Sequence, residues 1–407
     1  QGYIEKGYEN LLLQSNSFTT TWSQANILPP TSGQTGYDGS SDAWYFEKVG
    51  AFGRLQQSIS TSGVQTLSVY LKAKDSSWVN LETGGANTSR QYFDLTAPIE
   101  TAKGFSNNII SSSIEDAGDG WRKCSITYEG TKTFAFVFIA EGNGQINGTT
   151  GSLYIQDAML NQGLVAYPYI ETTTAPVAGG ILEDMPRLDW SGSCPSLLLE
   201  PSRTNSFNYS EALYQLPVKS GVSWEDNVTT SPEGLQNAGK ITEGTGFQYL
   251  GQSSLQGANR VISVFAKYDN SLTRIALGQY ITTNQVANAV FNIQTGTILS
   301  ETTGSSNVMI LEDAGVEDYG NGWRRYWVSV SGSNGVAYVA PSNSDTISFV
   351  PNYTGSGQHC FLYGLQYEQD ATYPTSYIPT YGVSQTRLGD VCGGAGDAET
   401  FNDNEGV

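Results

Sequence analysis

The stretch that decides the fold occurs twice. Residues 115–128 read EDAGDGWRKCSITY, and residues 312–331 read EDAGVEDYGNGWRRYWVSVS. In both copies an acidic, glycine-rich turn leads into Gly-Trp-Arg and then into an alternating strand. Glycine adopts the positive φ values of tight turns at little cost, so the turn ends one strand and the tryptophan begins the next. We therefore predict that Trp121 and Trp323 are equivalent structural residues, each a buried plug at a sheet rim.

The doubled stretch belongs to a repeat that covers most of the 407 residues. Asn10 matches Asn205, and Tyr167-Pro168 matches Tyr373-Pro374, in the same order along both copies. Units of this length are whole domains and not solenoid repeats. The predicted organisation is an N-terminal connection at 1–8, domain 1 at 9–172, a linker with a β-hairpin at 173–204, domain 2 at 205–390 and a C-terminal tail or start of a further domain at 391–407.

Each unit reads as short strands without helical periodicity. Residues 66–74, TLSVYLKAK, alternate between apolar and polar side chains, which predicts a half-buried strand. Residues 134–140, FAFVFIA, are apolar on both faces and predict a central strand between two layers. A unit of about eight to ten such strands favours a β-sandwich, and its size favours a jelly roll. The predicted fold class is all-β, with two tandem β-sandwich domains.

The linker carries its own strand signal. PRLDW at 186–190 and SLLLEP at 196–201 are separated by a short stretch that begins with Ser-Gly-Ser, a pattern that predicts a β-hairpin joining the two domains. Cys194 precedes the second unit and Cys392 follows it. Because the two ends of a jelly roll lie near each other, these cysteines could form a disulfide. In the chain-entropy model such a disulfide contributes ~4–5 kcal/mol. The remaining cysteines, Cys124 and Cys360, are expected to be reduced within strands.

The charge balance excludes some classes of partner. Asp and Glu number 39 against 20 Lys and Arg, which gives a formal net charge of −19. Binding to nucleic acid phosphates needs a basic surface, and so does docking on anionic lipid. No apolar run approaches the ~18 residues of a membrane helix. We therefore predict no nucleic acid partner and no membrane partner.

Motifs of catalysis are missing from the sequence. There is no Gly-x-Ser-x-Gly, P-loop or His-Glu-x-x-His pattern, and His359 is the single histidine. It stands at the entry of a predicted strand, where a structural or surface histidine is expected. The carboxylate pairs Glu115-Asp116 and Glu312-Asp313 could serve a glycosidase, but they lie in the doubled turn, where acids are usually solvated. The sequence predicts a protein that is not an enzyme.

The sequence contains one candidate metal-binding loop. With one histidine and no Cys/His cluster, zinc is not expected. The acidic loop YDGSSD at 37–42 offers oxygen ligands that could bind calcium, although it lacks the Asp-x-Asp-x-Asp-Gly pattern. A solvated turn is the alternative. No cofactor is predicted, and calcium is left open.

Comparison of the two copies selects candidate sugar-binding residues. Trp44 in DAWYFEK matches Gly239, and Trp78 in DSSWVNL falls near Thr273. A structural aromatic should recur in both copies, as Trp121 and Trp323 do. Trp44 and Trp78 are therefore candidates for an exposed platform that packs against a sugar ring, with packing against a neighbouring domain or subunit as the alternative.

The second unit resembles a known family. The residues that carry the resemblance are CPSLLLEPSRTN, EDAGVEDYGNGWRR and LYGLQYEQDATYPTSYIPTYGVSQTRLGDVC. This series, from about 186 to 392, is similar to the domain of bacteriophage head spike fibre and tail fibre proteins. The first unit is similar more loosely and lacks the Thr-Ser-Tyr-Ile-Pro-Thr ending. The last residues, GDAETFNDNEGV, resemble the start of the concanavalin A-like lectin domain that often follows.

The resemblance implies a fold and a function. Such domains are similar to carbohydrate-binding-module jelly rolls and carry no catalytic motif. The leading hypothesis is a non-enzymatic, oligomeric virion appendage at the virion surface, a fibre, spike or decoration subunit, that contacts other virion proteins and adheres to glycans or cell-surface polysaccharide. One alternative is the non-catalytic carbohydrate-binding region of a secreted bacterial polysaccharide-degrading enzyme. The other is a purely structural subunit of an extracellular filament.

Overall fold

The regular structure is almost entirely β. The structure, a computed structural model, describes residues 6–85, 87–179, 188–189 and 196–390, with backbone alone at 188–189 and 196. Its helices are two single turns of 3₁₀ helix, Ile99–Thr101 and Leu213–Gln215. Within the described ranges no helix is long and apolar enough to cross a membrane. The predicted all-β fold class is confirmed.

The strands of the N-terminal half, residues 6–179, run through the whole of that segment. They are β1 (Tyr8–Asn10), β2 (Ser23–Ala25), β3 (Thr31–Gln34), β4 (Ala43–Glu47), β5 (Arg54–Thr61), β6 (Val64–Ala73), β7 (Trp78–Gly85), β8 (Ser89–Asp94), β9 (Lys103–Asn107), β10 (Ser111–Gly118), β11 (Trp121–Glu129), β12 (Lys132–Ala140), β13 (Ser152–Gln162) and β14 (Val177–Gly179).

Two short strands follow in the linker, and the C-terminal half, residues 203–390, contains the rest. They are β15 (Leu188–Asp189), β16 (Ser196–Leu197), β17 (Arg203–Asn205), β18 (Val218–Ser220), β19 (Val222–Thr229), β20 (Ala238–Glu243), β21 (Thr245–Phe247), β22 (Tyr249–Gln252), β23 (Asn259–Lys267), β24 (Arg274–Thr282), β25 (Gln285–Asn292), β26 (Thr297–Thr303), β27 (Met309–Asp318), β28 (Trp323–Gly332), β29 (Val336–Pro341), β30 (Asn352–Thr354), β31 (His359–Gln369) and β32 (Gln385–Arg387).

The N-terminal half is a sandwich of two antiparallel six-stranded sheets. One sheet has the order β10-β11-β6-β13-β4-β3, and the other has the order β2-β5-β12-β7-β8-β9. Alternate residues of each sheet point inward. Val69 and Leu71 of the first sheet pack in the core against Leu81 and Val137 of the second. The core therefore lies between the sheets, as the alternation of residues 66–74 requires.

The C-terminal half repeats this arrangement. An eight-stranded sheet, β19-β20-β31-β23-β28-β27 with β17 and β32 attached, faces a six-stranded sheet of order β18-β22-β29-β24-β25-β26. Its core joins Val264 and Val328 from the first sheet with Leu277 and Val339 from the second. Each of the large sheets takes all its described strands from one half of the chain.

The strand register also recurs between the halves. Trp121 lies opposite Lys72 in the N-terminal half, as Trp323 lies opposite Lys267 in the C-terminal half. In the same way, the pair Trp44 and Ile155 corresponds to the pair Gly239 and Leu362. The pair Phe136 and Gln56 corresponds to the pair Tyr338 and Gly251. Because register fixes which side chains share a face, positions of one half can be compared directly with positions of the other.

An asparagine clamp shows one equivalence that the sequence comparison missed. The Asn10 side-chain amide donates to the Ile170 carbonyl at 2.8 Å, and Asn205 does the same to Ile378 at 2.8 Å. Tyr169-Ile170 therefore takes the place of Tyr377-Ile378, although the first unit lacks the full Thr-Ser-Tyr-Ile-Pro-Thr ending. The different spacing after Pro168 and Pro374 hides this match from a search by spacing.

The linker residues pair where the sequence places a hairpin. Leu188 lies opposite Leu197 in a short antiparallel ladder. Cys194 and Cys392, the candidate disulfide, lie outside the described residues. Cys124 and Cys360 are buried free thiols. The boundaries 9–172 and 205–390, and the separation into two tandem domains, stay predictions.

The two halves are in direct contact. Val64 and Leu164 of the N-terminal half pack with Ala212 of the C-terminal half in a small apolar cluster. The backbone N–H of Val64 donates to the Tyr381 carbonyl at 2.7 Å, and the Tyr209 hydroxyl donates to Glu129 at 2.9 Å. This interface combines apolar packing with specific polar contacts.

Candidate functional site

The two repeated tryptophans are buried on the outer faces of their sheets. Trp121 is 1% exposed and Trp323 is 2% exposed. Trp323 packs with Phe265 and Tyr363 in a cluster separate from the core between the sheets, and its indole N–H donates to the Thr230 carbonyl at 3.0 Å. Each side chain therefore anchors the segments that fold over its sheet.

The candidate platform residues Trp44 and Trp78 are not brought together, because they lie in opposite sheets. Trp44 is half-buried beside the core, and its indole N–H donates to the Asn16 carbonyl at 2.9 Å. Trp78 is also half-buried. Its ring lies so close to the backbone of Gly104 that a Cβ atom at that position would be only 2.7 Å from it. Both tryptophans are thus only partly exposed, and their role in sugar binding stays a prediction.

A different aromatic surface occupies the outer side of the sheet that contains β12. We call it the phenylalanine face, and it consists of Phe134, Phe136, Phe138, Arg54, Asn80, Glu82 and Arg90. The rings of Phe134, Phe136 and Phe138 follow one another along β12, with both successive centroid distances at 5.6 Å. Residues 134–140 are apolar on both sides, but no second layer of strands lies on this side within the described residues. Phe134 and Phe136 are half-buried, and Phe138 is buried.

Polar side chains lie next to the phenylalanine rings. Across the sheet, Glu82 lies opposite Phe136, and Arg90 lies opposite Glu82. The Asn80 amide donates to the Glu82 carboxylate at 3.0 Å, and the Arg90 Nε forms an ion pair with the same carboxylate at 3.4 Å. The Asn80 Oδ1 is buried and has no hydrogen-bond partner among the described residues.

Arg54 completes the face. Its guanidinium carbon lies 5.6 Å from the Phe136 ring centroid and 5.4 Å from that of Phe138. Its Nε donates to the Gln56 side-chain oxygen at 2.8 Å, and one Nη donates to the Phe52 carbonyl at 3.3 Å. Phe52 has a φ of 61°, an uncommon conformation for an aromatic residue, and its side chain is 46% exposed. The strained turn thus holds the guanidinium over the rings.

The equivalent surface of the C-terminal half is built differently. The register places Tyr249, Ala276, Gly278, Asn288 and Tyr338 where the phenylalanine face has Arg54, Asn80, Glu82, Arg90 and Phe136. This surface is an apolar cluster, and Ile347 and Phe349 of the following loop pack over it. The Asn288 amide donates to the Phe349 carbonyl at 3.2 Å and holds the loop in place. The two halves therefore share a fold but differ in this face.

The loop proposed for calcium is closed by hydrogen bonds. The Ser40 hydroxyl lies within hydrogen-bond distance of the Asp38 carboxylate, at 2.6 Å, and of the Asp42 carboxylate, and its one O–H can donate to either. The Gln156 amide donates to Asp42 at 2.7 Å. Over the part of the chain that the structure describes, no group of three or more His, Cys, Asp or Glu residues is placed to hold a metal ion.

Asp157 lies beside this loop in a strained position. Its φ is 52°, at a bulge where the C-terminal half has Gly364 with a φ of 63°. The Tyr37 hydroxyl donates to the Asp157 carboxylate at 2.9 Å. Burial, with smaller contributions from the charges of Asp42 and Asp38, raises the pKa of Asp157 to about 7.

This pKa predicts a pH-dependent stability. Because the folded pKa of Asp157 lies above the ordinary value near 4, the folded chain resists the ionisation that the unfolded chain undergoes freely. The free energy of unfolding should fall as the pH rises from about 4 to about 7. Asp157→Asn should therefore stabilise the protein at pH 8 and have less effect at pH 5, as measured by urea titration at both values.

The matched control is Asp119→Asn. Asp119 also has a positive φ, 48°, but its side chain is exposed in the acidic turn. The control should change the free energy of unfolding equally little at both pH values. Equal effects of Asp157→Asn at pH 5 and pH 8 would contradict the prediction.

His359 does not form a catalytic triad with the residues around it. Its Nε2 lies 2.9 Å from the Asp269 carboxylate, and its backbone N–H donates to the Ser271 hydroxyl at 3.1 Å. The serine therefore contacts the histidine backbone and not the ring. This geometry fits a structural pair at the start of β31, where the sequence places the histidine.

A buried ionic cluster is the feature that the sequence analysis missed. The Lys6 ammonium contacts the carboxylates of Glu211 at 2.6 Å and Glu233 at 3.0 Å, and the Tyr381 hydroxyl at 2.9 Å. The Tyr167 hydroxyl donates to Glu233 at 2.7 Å. The cluster thus joins the N-terminal segment and the N-terminal half to the C-terminal half.

The electrostatics of this Lys6 cluster favour the charged amine. Burial acts to lower the pKa of Lys6, but the charges of Glu211 and Glu233 outweigh it, and the pKa is raised above the ordinary value. The ring of Tyr381 lies 5.5 Å from the ammonium and adds a cation–π contact. No sequence motif marks this site, since Lys6 and Glu211 are 205 positions apart in the chain.

Comparison with protein-family models finds no match for the chain, and comparison with curated proteins finds none either. The likeness to phage fibre domains therefore rests on the sequence residues quoted for it, and it stays a prediction.

Proposed function

We propose that the chain is a non-enzymatic binding protein whose phenylalanine face binds glycans. The observation that carries the proposal is the pairing of the half-buried Phe134 and Phe136 rings, which no second layer of strands covers among the described residues, with a fixed polar network. Phenyl rings can pack against the C–H face of a sugar, and the partly exposed Glu82 and Arg90 side chains can exchange hydrogen bonds with its hydroxyls. The equivalent face of the C-terminal half is apolar and covered, so the fold does not require these residues.

The sequence resemblance suggests the setting of this activity. A virion appendage of a bacteriophage, a fibre, spike or decoration subunit, is a setting in which a protein can adhere to host or environmental glycans. Single sites of this type are weak, and display on an oligomer can raise avidity by ~10²–10⁴ without new contacts. We therefore place the chain at a virion surface, with other virion proteins and further copies of itself as partners.

The test is a glycan array probed with the full chain immobilised at high density, followed by titration of any glycan that binds. Phe136→Ala should weaken binding on the order of tenfold, which corresponds to about 1.4 kcal/mol, because it removes the central ring. The matched control is Phe247→Ala, which removes an aromatic side chain 44% exposed in the C-terminal half. The control should bind as the parent does.

Trp44→Ala and Trp78→Ala should be measured beside them. If these variants lose binding and Phe136→Ala does not, the platform lies where the sequence comparison predicts it. If no glycan binds and Phe136→Ala abolishes self-association, the face is an interface between copies. The hypothesis of a structural filament subunit would then replace this one.

A further inference from the structure

The position of Arg54 bears on the class of ligand. Arginine has five N–H donors. One of them is used by Gln56 and one by the Phe52 carbonyl, so three have no partner among the described residues. No carboxylate of these residues lies within 4.0 Å of the guanidinium. Arg90, by contrast, is paired with Glu82. Of the two arginines of the phenylalanine face, Arg54 is therefore the one whose N–H donors are available to bind a ligand.

The surroundings of Arg54 prepare it for a planar anion. One side of the guanidinium lies over Phe136 and Phe138, and Gln56 fixes its Nε. A guanidinium held in one orientation loses little entropy when its free edge binds a carboxylate through two parallel hydrogen bonds. The C-terminal half has Tyr249 at this position, inside the apolar cluster, so the fold does not demand an arginine there.

From these contacts we propose that the phenylalanine face takes an acidic glycan, with a sugar carboxylate bound by the Arg54 guanidinium. The ring of the same sugar residue, or of its neighbour, packs on the half-buried Phe134 and Phe136 rings, and a hydroxyl meets the Glu82 side chain. The proposal rests on the glycan-binding function proposed above and specifies its substrate class. A protein with a net charge of −19 repels anions at long range, so recognition has to come from this local contact.

The experiment compares a panel of uronic acid oligosaccharides with their carboxyl-reduced forms, which keep linkage and length but lose the charge. Binding is measured by titration at about 0.15 M salt, where the screening length is ~8 Å. The parent chain should prefer the acidic forms by at least about tenfold. Arg54→Gln should erase that preference, and Arg54→Lys should restore only part of it because an ammonium cannot form the paired hydrogen bonds.

The matched control is Lys219→Gln, which removes one exposed positive charge from the C-terminal half. The Lys219→Gln variant should keep the parent chain's preference for the acidic oligosaccharides over their carboxyl-reduced forms. Equal binding of acidic and reduced forms, or a preference that survives Arg54→Gln, overturns the acidic class. If neutral glycans bind through Phe136 while no acidic glycan binds better, the glycan-binding function stands and this inference fails. If no glycan of either kind binds, both fail.

Discussion

Lys6→Met should destabilise the protein by roughly 3–5 kcal/mol, the cost of leaving a buried charge without its partner. The substitution keeps an unbranched side chain of similar length but removes the ammonium that Glu211 and Glu233 share. Both carboxylates would then be buried next to each other without a cation. The change should appear as a lower midpoint in urea unfolding of the full chain.

Two further variants make this result specific. Lys74→Met replaces an exposed lysine on the same half and should leave the midpoint unchanged. A second substitution, Glu233→Gln, added to Lys6→Met should recover part of the lost stability, because it removes one of the stranded charges. Interacting residues show such non-additive effects. A Lys6→Met protein that unfolds at the same urea concentration as the parent would refute the structural role of the cluster.

Trp323→Ala should cost about 3–5 kcal/mol, the usual range for truncating a buried tryptophan. The ring fills the outer cluster with Phe265 and Tyr363, and its N–H satisfies the Thr230 carbonyl. Truncation leaves both a cavity and a carbonyl without its donor. Thermal and urea unfolding of the variant measure the loss.

The control for Trp323→Ala lies on the same strand and the same face of the sheet. Trp327 is half-buried, and its ring covers Gly315, so Trp327→Ala removes as many atoms with less burial. It should destabilise the protein clearly less than Trp323→Ala does. If the two substitutions lowered the free energy of unfolding equally, the prediction that Trp323 is a buried structural residue would be contradicted.

The sequence by itself determined the fold class and the repeated positions. Alternating patterns such as residues 66–74 define the inward face of a strand without reference to any other strand, because successive side chains point to opposite sides. The turn before Trp121 and Trp323 is equally local, since glycine supplies its backbone angles. Both signals act within about ten residues and can be recognised in a single chain.

Only the tertiary structure decided what lies on each outer face. The apolar run at 134–140 predicts a strand between two layers, yet the half-buried Phe136 ring on its outer side meets the Arg54 guanidinium, whereas Ile347 and Phe349 of a loop pack over the matching face of the C-terminal half. Lys6 meets Glu211 and Glu233 although it is distant from both in sequence. Contacts of this kind depend on how sheets, loops and halves pack, and the short-range pattern of a strand carries no information about them.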